Sequence, residues 1–117
     1  MATSTAPPST KPVPFLFRNY NYGKVRSRHP GSSSFPLWQA LRATTAAPGY
    51  FTEFSDPKTG QLFQDGALTA NNPTGLAIHE AMCLFPQQPL GAVVSLGTGR
   101  FLPAGVRPPT EPAVGVE

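Results

Sequence analysis

Charge is scarce in this 117-residue chain. Lys, Arg, Asp and Glu together make up 13% of it, about half the usual share, which excludes a charge-rich disordered segment and a long charged coiled coil. The single cysteine, Cys83, excludes an internal disulfide framework and a metal site built from several thiolates, so a reducing compartment is expected. No apolar run approaches the roughly 20 residues that a membrane-spanning helix needs. The opening MATSTAPPSTKPVP also lacks the apolar block of a secretory signal. Acidic residues are missing before Glu53, so Lys11, Arg18, Lys24, Arg26, Arg28 and Arg42 stand unopposed although the net charge is only +3. The run Lys24 to His29 suits a solvated loop, and a basic segment of this kind can also meet lipid phosphate. Nucleic-acid binding is not expected, because no helix or repeated aromatic spacing organises these charges.

What is present in excess is backbone punctuation, with 15 prolines and 11 glycines, and long uninterrupted helices are therefore barred. Prolines crowd both ends. Residues 1–14 and 103–117 are rich in small and polar residues, and neither holds enough large apolar side chains to offset its ordering entropy. Both are read as disordered tails around a unit at 15–102. Inside that unit, Phe15 to Tyr20 reads as a strand, and Pro36 opens a helix candidate at Leu37 to Ala43, with Leu37 and Leu41 on one face and Pro48-Gly49 as its stop. Asp56-Pro57-Lys58-Thr59-Gly60 is a turn. Gln61 to Gln64 is extended and ends at Asp65-Gly66. Asn72-Pro73 then caps and opens a helix through Leu84 on which Ile78, Met82 and Phe85 form an apolar stripe. Ala92 to Leu96 reads as a short strand buried on both faces. Strands alternating with helices indicate an α/β layer architecture.

Asp65 is the carboxylate best placed for chemistry, because it follows a strand, precedes a helix start and is flanked by the small residues Gly66 and Ala67 that leave its oxygens approachable. Such a carboxylate can act as a general base. The same Asp-Gly pair between extended runs is also a preferred hairpin turn. His79 has no second ligand at i+3 or i+4 for a metal and reads as a surface or interface side chain. His29 lies in the basic loop, and Cys83 suits the core. No cofactor and no metal are expected.

Three segments, Arg42 to Phe51 (RATTAAPGYF), Gln64 to Pro73 (QDGALTANNP) and Val93 to Arg100 (VVSLGTGR), resemble, in this order and spacing, the C-terminal half of patatin-like phospholipase domains. Arg18-Asn19-Tyr20 and Trp38-Gln39-Ala40 carry the likeness further, over about Leu16 to Phe101. The resemblance implies a partial three-layer α/β/α fold. It implies a serine acyl hydrolase with a Ser-Asp dyad, in which a serine on a G-x-S-x-G elbow attacks the ester and the aspartate of the Asp-Gly-Ala motif, here Asp65-Gly66-Ala67, accepts its proton. Asn71 and Asn72 would fix the turn after it. The implied substrates are phospholipids or lysophospholipids, and the implied location is intracellular, peripheral to endoplasmic reticulum, mitochondrial or peroxisomal membranes.

The chain departs from that pattern at the nucleophile. Gly31-Ser32-Ser33-Ser34-Phe35 has Phe35 where the second glycine belongs, and Val93 to Gly97 lacks the first. Gly97-Thr98-Gly99 matches the family's turn after a strand rather than its oxyanion loop. Two readings follow. One is a fragment or truncated isoform of a lipid acyl hydrolase that retains the base and is inactive alone; the other is a non-catalytic protein that binds a homologue or a membrane. Half a sheet leaves an open edge, so self-association is expected of the second.

Overall fold

The computed structural model describes residues 2–5 (backbone only), 11–22, 27–99 and 105. In chain order these form β1 (Ala2–Thr5), β2 (Val13–Phe17), β3 (Gly31–Ser32), α1 (Leu37–Thr44), β4 (Phe54–Ser55), β5 (Leu62–Asp65), α2 (Ala67–Ala70) and α3 (Thr74–Leu84). The strands make one sheet in the order β3-β2-β1-β5-β4. β1 lies in its centre and runs antiparallel to both neighbours, pairing Ala2 with Phe15 on one side and with Asp65 on the other. β3 joins β2 in parallel, and β4 and β5 form a hairpin that pairs Phe54 with Phe63.

The turn of that hairpin is built by Asp56, which is buried. Its carboxylate accepts hydrogen bonds from the Lys58 amide at 3.1 Å and the Thr59 hydroxyl at 2.6 Å, and Gly60 closes the turn at φ +70, where a side chain would strain the backbone. The Thr59 hydroxyl, then the Lys58 amide, hold the Asp56 carboxyl below its ordinary range.

Strand alternation explains the core. Phe15 and Phe17, two apart on β2, meet Phe63 of β5 with ring centroids 5.0 and 5.3 Å away, while Phe35 stands 5.0 Å from Phe17 and 5.7 Å from Phe63. Phe63 is 0% exposed. Most of these pairs meet edge to face, the orientation that the ring quadrupole favours. α1 covers the cluster through Ala43, whose small side chain lets the helix approach closely.

Leu37 and Leu41 do share a helix face, but it points outward: Leu37 is 74% exposed and Trp38 64%. The helix also ends at Thr44, short of the Pro48-Gly49 stop, and the Thr45 hydroxyl bonds back to the Leu41 carbonyl at 2.8 Å.

Two sequence expectations differ from the observed fold. Residues 1–14 were expected to lack structure, yet Ala2–Thr5 forms the central strand and β2 begins at Val13; main-chain pairing needs no large side chains. Ala92 to Leu96 is not a strand. It is an extended, exposed segment, with Val94 at 77% and Leu96 at 90% exposure, because β-branched residues favour a strand only where a neighbouring strand completes their hydrogen bonds. The tail at 103–117 lies outside the described residues except Gly105. Among the described residues no helix is long and apolar enough to cross a membrane.

Truncating the central ring tests this core. Phe63→Ala should cost about 3–5 kcal/mol, read as a lower midpoint in urea with tryptophan fluorescence or circular dichroism; a loss below about 1 kcal/mol would place the core elsewhere.

Candidate functional site

Asp65 closes β5, and the backbone there is held from several directions. Its amide donates to the Ala46 carbonyl at 3.0 Å, and its carboxylate Oδ1 accepts the Ala67 amide at 2.8 Å. Gly66 follows in helical conformation, at φ −59 and ψ −20, and leads directly into α2. The Asp65-Gly66 pair is thus a strand-to-helix junction and not a hairpin turn. Gly66 is buried, Asp65 half-buried and Ala67 exposed. The carboxylate caps the first turn of α2 and is still reached from the surface.

Beyond α2, the cap position of α3 is Pro73, without a side-chain cap bond, one residue later than the sequence suggests, and Asn72 closes a local turn before it. Its Oδ1 accepts from the Thr74 amide at 3.1 Å and the Thr74 hydroxyl at 2.6 Å, while Pro73 stands at the helix entrance. Ser95, in the exposed segment, joins this corner through the Thr74 hydroxyl at 3.0 Å. A cavity of about 570 Å³ lies here between Asn71 to Thr74 and Val93 to Gly99. The serines of the loop before α1 are engaged locally: Ser32 bonds Ser34 at 2.8 Å, and Ser33 donates to Asn21.

The apolar stripe on α3 is largely uncovered. Met82 and Phe85 are exposed, and the helix residue that is buried is Glu80, at 4% exposure. The Arg18 guanidinium reaches it with Nε at 2.7 Å from Oε2 and NH2 at 3.1 Å from Oε1. The hydroxyls of Tyr20 and Tyr22 donate to Glu80 at 2.9 and 3.1 Å. Arg18 also donates to Ser27 and to the His29 carbonyl, and lies over the Tyr22 ring at 5.1 Å.

Gly31 is necessary beside this guanidinium, since a Cβ there would collide with Arg18 Nη1 and with the Leu16 carbonyl oxygen. In the sequence Tyr20 stands out only within the Arg18-Asn19-Tyr20 likeness, and Glu80 and Tyr22 carry no expected role. The available signal was a carboxylate in a mostly apolar helix and tyrosines at period two after β2. Nothing in spacing pairs residues 62 positions apart.

His79 and Cys83 are half-buried one turn apart on α3, with Sγ and Nε2 3.6 Å from each other, and the His29 ring packs edge-on against His79 at 5.7 Å. Cys83 therefore borders an open helix face and not the phenylalanine core. Among the described residues no group of three or more His, Cys, Asp or Glu side chains is arranged to hold a metal ion. Lys24 and Arg26 lie outside the described residues.

Burial raises the Glu80 carboxyl, but hydrogen bonds from Arg18, Tyr20 and Tyr22 outweigh it and the net direction is downward. Burial, then Glu80, then Cys83 push the Tyr22 phenol up to about 12. A depressed carboxyl contributes stability above its unfolded pKa and loses it as pH falls through its folded one. A raised phenol contributes stability below its unfolded pKa and loses it as pH rises through the folded value. Stability should therefore decline as pH drops from about 5 towards 3, and again as it rises from 10 to about 12. Urea midpoints across pH check this, and Glu80→Gln should flatten the acid limb; an unchanged limb would remove Glu80 from the account.

Residues 1–78 match the family model for patatin-like phospholipase. The chain is 48% identical over 91 residues to human calcium-independent phospholipase A2-gamma, covering 77% of this chain and 11% of that protein. It is 36% identical over 124 aligned positions to phospholipase A I of Arabidopsis thaliana, covering 80% of this chain and 9% of that one. It is also 38% identical over 74 residues to probable inactive patatin-like protein 9 of the same plant, covering 60% of this chain and 18% of that protein. The chain thus spans about a tenth of the length of the first two relatives. No solved structure matches it. With the family model covering two thirds of its residues, the chain belongs to the patatin-like phospholipases.

Proposed function

We propose that this chain is a portion of a patatin-like lipid acyl hydrolase domain that supplies the proton acceptor, Asp65, to a serine outside these 117 residues, and that it hydrolyses no ester alone. The observation that carries the reading is the position of Asp65 at the end of β5, with its amide and one carboxylate oxygen tied to the backbone. A carboxylate so held takes the serine proton as the hydroxyl oxygen forms a bond to the ester carbonyl, and later returns it to the leaving alcohol oxygen, with no histidine required. Developing oxyanion charge needs preorganised amides, and in this reading they too come from outside the chain. Phospholipids or lysophospholipids are the substrates, presented at a membrane surface inside the cell.

A second reading, a non-catalytic protein that binds a homologue or a membrane, is favoured by the exposed apolar residues Val94, Leu96, Leu37 and Trp38. Exposed apolar surface of that kind usually marks an interaction site.

Hydrolysis of a short-chain acyl ester and of phosphatidylcholine, measured with the chain alone and with a polypeptide carrying the serine elbow and glycine-rich loop of a patatin-like relative, separates the readings. The chain alone should match buffer. The mixture should turn over substrate, and Asp65→Asn should lower its rate on the order of 10²- to 10⁴-fold. Binding of the added polypeptide with no turnover would favour the second reading, and turnover by the chain alone would place a nucleophile within it.

A further inference from the structure

We propose that the Arg18–Glu80 pair is a latch that holds α3 as a hinged strap over an apolar groove against β2. The groove has a volume of about 630 Å³ and separates Leu16 and Phe17 of β2 from Leu76, Ala77, Ala81 and Leu84 of α3. The helix is therefore not seated on the sheet by close apolar packing along its length. Glu80 is the α3 residue that is buried, and four side chains from the far side converge on it: Arg18, Tyr20, Tyr22 and Ser27. His79 and Cys83, its helix neighbours, face His29 and each other.

The hinge lies at the other end. Asn71 to Pro73 join α3 to α2, and the side chains of Asn72 and Thr74 bond each other and Ser95 of the exposed segment, not the sheet.

A latch of this type has an asymmetric energetic logic. A buried ion pair adds little net stability compared with an apolar pair of the same shape, but removing one partner leaves a buried charge with no counter-charge. With Glu80 gone, Arg18 keeps its bonds to Ser27 and the His29 carbonyl and has no anion. With Arg18 gone, the carboxylate keeps two tyrosine hydroxyls and no cation. The cheapest relief in either case is for α3 to swing off the groove and let water reach the charge. The rest of the core is not asked to move, because its buried members Phe15, Phe54 and Phe63 pack with Ala43 of α1, and only Phe17 at the cluster's margin lines the groove.

Amide hydrogen exchange on the 117-residue chain tests this, with Glu80→Gln and Arg18→Met beside the parent. In the parent, amides of α3 past its first turn should be protected together with those of α1 and β5. Each variant should raise exchange through α3 on the order of a hundredfold and leave α1 and β5 within about threefold of the parent. Three results would overturn the latch. One is protection of α3 retained in both variants; another is loss of protection in α1 and β5 alongside α3, which would make the pair part of the global core. The third is an α3 that is already unprotected in the parent.

Discussion

Burial of the Phe63 ring is the constraint on which the rest depends. It gathers Phe15 and Phe17 from β2, Phe35 from the loop before α1, Phe54 from β4 and, through Ala43, the helix α1. With β5 itself these are five separate stretches, and they hold five of the chain's eight phenylalanines. Because β5 ends two residues after Phe63, the same burial fixes where Asp65 emerges from the sheet. Core packing and the candidate catalytic carboxylate share one strand.

The sheet around this ring is held by an unusual central member. β1 supplies main-chain partners to both β2 and β5, so two strands that are not bonded to each other become members of one sheet. Main-chain pairing on both sides is open to any non-proline sequence, so a segment poor in large side chains can take this place. The edges are short: β3 and β4 are two residues each, which limits what another strand could add there.

The two faces of the molecule use different physics. On the α1 side, aromatic rings interlock at about 5 to 6 Å and exclude water. On the α3 side, a guanidinium and two phenols meet one carboxylate across a groove. The first kind of contact is tolerant of direction and grows with area; the second depends on every partner being present. The seating of α3 consequently rests on charged groups, and the helix begins nine residues after Asp65 along the chain, past α2 and the Asn71–Pro73 link.

Local chemistry in the sequence was enough to determine the turn at Asp56 to Gly60, the helix opened by Pro36, the Asn72 turn before α3 and the end of β5 at Asp65, because each rests on proline geometry or on side chains bonding within a few positions of themselves. The patterns of small residues around Asp65 and the three family segments likewise belong to contiguous stretches. Tertiary structure alone decided that Leu37 and Leu41 face outward, that Ala92 to Leu96 stays out of the sheet, that residues near the start form its central strand, and that Glu80 is buried. Each of these depends on which surface or strand is available at a distance along the chain. Periodicity records that a face is apolar, but it carries no information about what will cover it.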